Sequence, residues 1–146
     1  MTSKNLAKLV AQAALSKKGF DITILDLRKV TTMTDYFVLC SVDSDTQARA
    51  VADAIKHEAT ERGETTVRKE GYSEGRWVLL DFIDVVAHVF HKETREFYNI
   101  EKLWGDAKFE YVHDEPPMIG APARTRKKSE SAKTTKKKSV PKKRSK

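Results

Sequence analysis

Two aspartates separated by one residue, Asp43 and Asp45, form the first pair of side chains with catalytic potential. Such a pair directly after a strand can hold two Mg²⁺ ions for nucleotidyl transfer. That reaction also needs further carboxylates and a glycine-rich turn that holds phosphate, yet residues 31–41 contain no glycine. Ser44 and Gln47 fit a capping box, in which both side chains satisfy backbone N–H groups at a helix start. Helix capping explains the pair more simply, and metal-dependent nucleotidyl transfer stays an alternative.

Two histidines, His88 and His91, lie three residues apart close to Asp84. On a helix this spacing could present two imidazoles to zinc, but strand residues three apart point to opposite faces. The single Cys40 excludes an internal disulfide and a multi-cysteine zinc site, and its apolar neighbours predict a buried, inert thiol. The sequence contains no nucleophile elbow, Walker loop or dinucleotide fingerprint. We therefore expect no metal, no cofactor and a protein that works by binding.

The charge of the chain is divided unevenly along its length. The net charge is +7, but residues 121–146 contain twelve Lys and Arg against one acid, Glu130, a local net charge of +11. The preceding 120 residues are acidic, with a net charge of −4. The basic segment has too little apolar surface to offset the entropy of ordering it. The tandem prolines Pro116 and Pro117 mark the boundary, which predicts a domain over 1–115 and a disordered Lys/Arg-rich tail over 116–146.

The rest of the composition places the chain in a broad class. A length of 146 residues with 39% hydrophobic content is enough for one compact domain with a modest core. No apolar run approaches the roughly 20 residues needed to span a bilayer. The first sixteen residues also lack the order of a secretory signal peptide. A soluble cytoplasmic protein with no membrane partner is the expectation.

Apolar spacing predicts a mixed α/β fold, in which a mixed five-stranded sheet is flanked by helices. The first helix covers 5–16, with Gly19 expected to take a positive φ after it, and the second begins at Ser44 and closes at Gly63. The predicted strands cover 21–27, 36–42, 65–69, 76–82 and 84–90, of which 36–42 is central and 65–69 an edge. A short helix over 92–98 follows, and then residues 100–104.

The last two predicted strands each have one purely apolar face. These core faces consist of Val78, Leu80 and Phe82 on one strand and Val85, Ala87 and Val89 on the other. The opposite faces mix aromatic rings with acidic and imidazole groups, and they consist of Trp77, Leu79, Asp81, Val86, His88 and Phe90. Such a mixture is typical of a protein interface, with Tyr98 and Trp104 extending it. The alternative is that Trp77 and Trp104 only cover the edge of the core.

Six short motifs in a fixed order carry a family resemblance. They are DYFV at 35–38, QARAVA at 47–52, GRWVLLD at 75–81, DVVAHVF at 84–90, REFY at 95–98 and LW at 103–104. The series resembles the ribosomal silencing factor S family, also called Iojap or DUF143, over roughly residues 4–105. The linked motifs are far more specific than any one of them alone. The basic tail departs from the compact family pattern.

The resemblance implies a fold related to nucleotidyltransferases but without their catalytic carboxylates. It implies binding to ribosomal protein L-fourteen on the large subunit, which sterically keeps the small subunit from joining and represses translation. Some members act in large-subunit maturation, and free members can form homodimers. The implied interface carries over to Trp77, Asp81, Asp84, His88, Tyr98 and Trp104, and further to Leu79, Phe90 and Arg95.

The basic tail has a separate set of expected roles. Its charge can add contacts to ribosomal RNA phosphates, which gives a salt-dependent affinity without sequence specificity. The alternatives are a dispensable solvated extension and a tail that makes the chain a free-standing RNA-binding protein.

Overall fold

The computed structural model of the chain describes residues 1–113. The predicted tail over 116–146 and the last two residues of the predicted domain lie outside the described residues. The elements in chain order are α1 (Ser3–Ser16), β1 (Phe20–Asp26), β2 (Tyr36–Val42), α2 (Asp45–Glu61), β3 (Arg68–Glu70), β4 (Trp77–Asp81), β5 (Val85–His91), α3 (Lys92–Tyr98), α4 (Ile100–Leu103) and β6 (Lys108–Val112).

All six strands form one mixed sheet in the order β3-β4-β5-β2-β1-β6. The pair β2 and β5 at the centre is parallel, and every other neighbouring pair is antiparallel. Both central strands are apolar almost throughout because side chains on both of their faces are covered. The predicted mixed α/β class, the central strand 36–42 and the edge strand near 65–69 are confirmed.

The helices α1 and α2 pack together on one face of the sheet, which we call the helix face. Helix α2 contributes the apolar stripe predicted for it, made of Ala48, Val51, Ala52, Ile55 and Ala59. These side chains meet the inward residues of β4 and β5, which are Val78, Leu80, Val85, Ala87 and Val89. The result is the main core, and its residues are almost completely buried.

The turn after α1 differs from its prediction. Lys18, and not Gly19, takes the positive φ, at 67°. Gly19 is needed for space: a Cβ atom there would lie 2.4 Å from Cys40 Sγ and 3.0 Å from the Ala14 carbonyl oxygen. The close approach of helix and strand therefore explains the glycine, and the left-handed conformation is taken by its neighbour.

The sheet has one strand more than the five predicted. The additional strand, β6, pairs with β1, so that Glu110 lies opposite Ile24. The two strands are far apart in sequence, and local alternation over five residues with two charged side chains did not mark β6 as a strand. In the part of the chain that the structure describes, no helix is long and apolar enough to cross a membrane.

Candidate functional site

Within residues 1–113, the elements that cover the second face of the sheet are the short helices α3 and α4. Leu25, Leu27, Leu39 and Phe90 form a small buried cluster on it, separate from the main core. A group of rings lies over this cluster, and we call it the aromatic patch: Phe37, Trp77, His88, Phe90, Tyr98 and Trp104. Strand alternation brings these residues to one face from β2, β4 and β5, while α3 and α4 supply the last two.

Trp77 occupies the centre of the aromatic patch on strand β4. Its ring centroid lies 4.8 Å from that of Phe90 and 5.1 Å from that of Tyr98. Its indole Nε1 donates a hydrogen bond to Nδ1 of His88 at 3.0 Å. The side chain is half-buried, so one edge is fixed by the fold and the rest can meet a partner. This combination of a fixed and an accessible side is common in the anchor residues of protein interfaces.

His88 lies beneath the surface rings, with only 5% of its side chain exposed. Burial lowers its pKa from 6.5 to about 3, so the imidazole is neutral at physiological pH. Because Nδ1 accepts the Trp77 hydrogen bond, the proton is assigned to Nε2. Within residues 1–113 this buried Nε2 has no hydrogen-bond partner. The histidine thus orients Trp77, at the cost of one unsatisfied donor.

Trp104 covers the other end of the aromatic patch. Its ring meets that of Phe37 edge-on at a centroid distance of 5.6 Å, and Phe37 meets His88 at 4.6 Å. Trp104 is half-buried, like Trp77, and Tyr98 is 54% exposed. Both tryptophans therefore cover the small cluster and keep accessible surface. The β5 side of the patch is enclosed, because His88 and Phe90 are buried together with Val86. The open surface is thus narrower than strand alternation predicts.

Arg95 ties helix α3 to the sheet. Its guanidinium donates to the Asp21 carbonyl at 2.6 Å, Ser41 Oγ at 2.9 Å and Thr23 Oγ1 at 3.2 Å. Two further hydrogen bonds, at 3.2 and 2.8 Å, reach the carboxylate of Glu101 on α4. All five donors of the guanidinium are thereby engaged within the chain. In this structure Arg95 is a positioning residue for α3 and α4, with no donor left for a partner.

The acidic residues of the predicted site lie at the hairpin between β4 and β5. Asp81 is half-buried and accepts a hydrogen bond from the Ile83 amide at 2.7 Å. Ile83 takes a φ of 77°, a conformation that β-branched residues avoid. The side chain of Asp84 is exposed beside it, while its carbonyl oxygen accepts from the Asp35 amide at 2.9 Å. The hairpin therefore presents Asp84 at a fixed position beside the second face.

Three further residues of this surface were absent from the predicted set. Phe97 and Leu103 are large apolar side chains that are 81% and 77% exposed, on α3 and α4 respectively. Phe37 joins Trp104 to His88 from strand β2. Phe97 and Leu103 stand beside Tyr98 and Trp104 in the REFY and LW motifs. This adjacency could have indicated that Phe97 and Leu103 belong to the same surface. The sequence alone did not show which residue of each adjacent pair would be exposed.

The Asp43 and Asp45 pair has the geometry of a helix cap. Ser44 Oγ accepts from the Gln47 amide at 3.1 Å, and Gln47 Oε1 accepts from the Asp43 amide at 2.8 Å. The Asp43 carboxylate pairs with Lys92 at 3.1 Å, and that of Asp45 with Arg49 at 3.4 Å. The predicted Ser44 cap is confirmed, while Gln47 reaches back to the amide of Asp43 and not to that of Ser44 as in a regular capping box.

The other candidate ligands do not converge either. His91 caps α3 by accepting from the Glu93 amide, while His88 lies in the aromatic patch. Cys40 is buried and unpaired, as predicted, and desolvation raises its pKa to about 12, which keeps the thiol protonated at physiological pH. Within residues 1–113, no three His, Cys, Asp or Glu side chains are grouped closely enough to hold a metal ion.

These features define a mixed α/β domain with one closed sheet face and one half-open aromatic face, an arrangement suited to binding another macromolecule. The family model described as "Ribosomal silencing factor during starvation" matches residues 1–144, and the chain belongs to this family. The resemblance read from the six motifs is thereby confirmed. Its members are named as ribosomal silencing factors, which are regulators of translation associated with the ribosome.

Individual relatives agree in sequence and in fold. The ribosomal silencing factor RsfS of Bacillus subtilis is 47% identical over 107 residues, which cover 73% of this chain and 91% of the relative. A crystal structure of a Chromobacterium violaceum protein superposes with a TM-score of 0.71 at 35% identity, covering 78% of this chain and 95% of that one. The mouse protein named "Mitochondrial assembly of ribosomal large subunit protein 1" is 34% identical over 88 residues, 58% of this chain and 38% of its own length.

Proposed function

We propose that this protein binds the large ribosomal subunit through ribosomal protein L-fourteen and sterically blocks joining of the small subunit. Translation is repressed as a result, and the protein works by binding rather than by catalysis. The observation that carries the proposal is the aromatic patch, in which Trp77 and Trp104 are held by the fold yet half accessible. The name of the mouse relative refers to the large ribosomal subunit, which supports this choice of subunit.

The chemistry of the surface suits a basic protein partner. Aromatic anchors contribute most of the binding free energy at protein interfaces, and Trp77, Tyr98 and Trp104 offer three of them. Asp81 lies on the same face of β4 as Trp77 and is paired with Arg68 at 3.6 Å, while the exposed Asp84 follows in the hairpin and adds negative charge, which favours a basic ribosomal protein over bare RNA. Leu79 lies half-buried between Trp77 and Asp81 on the same face of β4 and extends the apolar contact. His88, Phe90 and Arg95 support the contact from below, because their side chains are enclosed.

Three further proposals accompany this function. The +11 segment over 121–146 contacts ribosomal RNA phosphates near the docking site and adds a salt-dependent contribution to the affinity. The protein acts in the cytoplasm, where translating ribosomes are found. A free molecule covers its aromatic patch against a second copy, since a homodimer removes exposed Phe97, Tyr98 and Leu103 from water.

The test is sedimentation of the full chain with purified large subunits. Trp77→Ala should weaken binding by about 2 kcal/mol, which corresponds to roughly a thirtyfold higher Kd, because it removes a central anchor. Tyr72→Ala is the matched control: it removes a half-buried aromatic ring that packs on the main core, and it should leave subunit binding unchanged. Binding of the Trp77 variant at wild-type strength, with its fold intact by circular dichroism, would rule out the assigned surface.

A further inference from the structure

A concave site of about 300 Å³ lies on the helix face, at the β6 edge of the sheet. We call it the lysine pocket, and its polar lining consists of Lys4, Lys8, Arg28, Tyr36, Lys108 and Glu110 together with Asp26. It lies on the opposite face of the sheet from the aromatic patch. Neither the family match nor the proposed function assigns it a role.

The register of the sheet explains why the pocket exists. Asp26 lies directly between Tyr36 of β2 and Lys108 of β6, so these three side chains form one row on the helix face. Above this row helix α1 presents Ala7, a small residue, between Lys4 and Lys8. Charged side chains on β6 prevent the helix from packing down onto the sheet edge. A concave space therefore remains between helix and edge strand, and it has an apolar floor.

The charges of the pocket do not cancel. Asp26 is matched by Arg28, which donates to it from Nε at 2.9 Å and from Nη2 at 2.7 Å. These hydrogen bonds lower the pKa of Asp26, so the ion pair persists at physiological pH. Within the described residues, Lys4, Lys8 and Lys108 have no carboxylate within ion-pair distance. Three lysines thus face the single remaining acid, Glu110.

A buried tyrosine completes the donor set. Tyr36 is 96% buried, since its relative exposure is 4%, yet it lines the pocket. The guanidinium of Arg28 lies over its ring at 5.3 Å from the centroid. The hydroxyl itself is not sealed off from solvent, and burial raises its pKa, so it stays a proton donor that a ligand in the pocket can reach. A phenol held in this way, beside three uncompensated ammonium groups, suits an anion with several oxygen acceptors.

We propose that the lysine pocket binds a phosphate group, either as free phosphate or as part of a small organic molecule. A volume of about 300 Å³ is at the lower end of the range for small-molecule sites, and the mostly charged lining suits a small anion better than an apolar ligand. RNA backbone binding instead relies on many dispersed cations, which this chain carries in residues 121–146. The pocket gathers its cations near one tyrosine hydroxyl, and this favours a compact phosphate ligand.

The test is titration of the isotope-labelled full chain with inorganic phosphate, ADP and a short single-stranded RNA, followed by amide chemical shifts. We expect saturable shifts with a phosphate probe, confined to the first half of α1, the end of β1 and the start of β6. Equal affinity for phosphate and ADP would identify free phosphate as the ligand. Tighter binding of ADP would identify an organic phosphate. Both results support the proposal, and neither involves the ribosome.

Substitutions in the lysine pocket test which side chains bind the phosphate. Lys8→Ala combined with Lys108→Ala should weaken binding of the phosphate probe about tenfold. Tyr36→Phe removes only the hydroxyl and should weaken it about threefold while the ring keeps its packing. Lys17→Ala, at the other end of α1 and outside the pocket, is the matched control and should bind like wild type. The amides distant from the pocket report whether each variant is folded.

Three outcomes would overturn the proposal. The first is that neither phosphate nor ADP gives saturable shifts at millimolar concentration. The second is that the double lysine variant binds as well as wild type. The third is that RNA shifts the pocket amides while phosphate and ADP do not, which would make this site a contact for nucleic acid instead.

Discussion

The two faces of the sheet are built from the same strands but differ in what covers them. On the helix face, α1 and α2 close over an apolar core that includes Leu80 and Val51. On the second face, α3 and α4 are too short to cover the sheet and leave Trp77 and Trp104 half accessible. Apart from the lysine pocket at its β6 edge, the first face is closed within the molecule, whereas the second face keeps accessible aromatic surface, and its His88 Nε2 has no partner within residues 1–113. The difference teaches that neighbouring residues of one strand, such as those of β4, can serve stability on one face and partner binding on the other.

The largest expected effect tests this division on neighbouring residues of β4. Leu80→Ala should lower the free energy of unfolding by about 3 kcal/mol, because Leu80 is fully buried in the main core. Leu79→Ala, on the opposite face, should cost about 1 kcal/mol in stability because its side chain is half-buried. Urea unfolding of both variants gives the comparison. Equal losses would show that the two faces share the stability more evenly than their burial indicates.

Arg95→Ala should have the next largest effect. It removes five hydrogen bonds that join α3 to β1, β2 and α4, and we expect a loss of about 2 kcal/mol in stability. Arg95→Lys should recover little of this stability, because an ammonium group cannot form the set of directed hydrogen bonds that the planar guanidinium makes. Large-subunit binding should fall in both variants, since Tyr98 and Trp104 lose their fixed position. A variant that unfolds normally but still binds would place the contact away from α3 and α4.

The buried His88 on the second face should make the protein less stable in acid. Its folded pKa of about 3 lies below the unfolded value of 6.5, so the unfolded chain binds the proton first. The resulting stabilisation is fully present above pH 6.5 and is lost as the pH falls from there towards 3. Between pH 7 and 5 the free energy of unfolding should drop by about 2 kcal/mol from this residue.

The control for this pH effect uses a second histidine. His88→Phe should remove that part of the difference between urea unfolding at pH 7 and at pH 5. His57→Phe replaces an exposed histidine on α2 and should leave the difference unchanged. If both variants keep the wild-type difference, His88 is not the residue that titrates.

The smallest effect concerns the basic segment. Truncation after Met118 should weaken large-subunit binding mainly at low salt, because it removes cations that displace counterions from RNA. The slope of log affinity against log salt concentration, measured by sedimentation, is the readout. An unchanged slope would assign all of the affinity to the folded domain and its second face.

Sequence reasoning succeeded where burial follows a local period. The stripe from Ala48 to Ala59 and the alternation in β4 were readable because each helix or strand repeats its exposure every few residues. Strand β6 was not predicted because the strand that pairs with it, β1, lies more than eighty residues earlier in the chain. Gly19 is required to leave room for Cys40, and the positive φ that was predicted for Gly19 is found at Lys18 instead. Neither fact can be read from the local sequence pattern.

The sequence predicted which residues belong to the candidate site, but not how deeply each of them is buried. The motifs named Trp77, Tyr98 and Trp104, and the structure brings all three onto one face. Alternation alone made His88 and Phe90 equivalent to Trp77, yet both are buried, with rings such as Phe37 and Trp77 packed against them. Whether a residue two positions further along a strand is open or enclosed depends on elements from elsewhere in the chain, and no local pattern contains that information.

The pairing of β6 with β1 also constrains when the protein becomes active during its synthesis. The sheet joins residues 22–26 to residues 108–112, and the Arg95 contacts join α3 to the same early strand. A nascent chain that stops before these late residues lacks both the closing strand and the fixed position of its surface helices. Incomplete products should therefore be inert towards ribosomes, so that only a finished molecule can act on the machinery that made it.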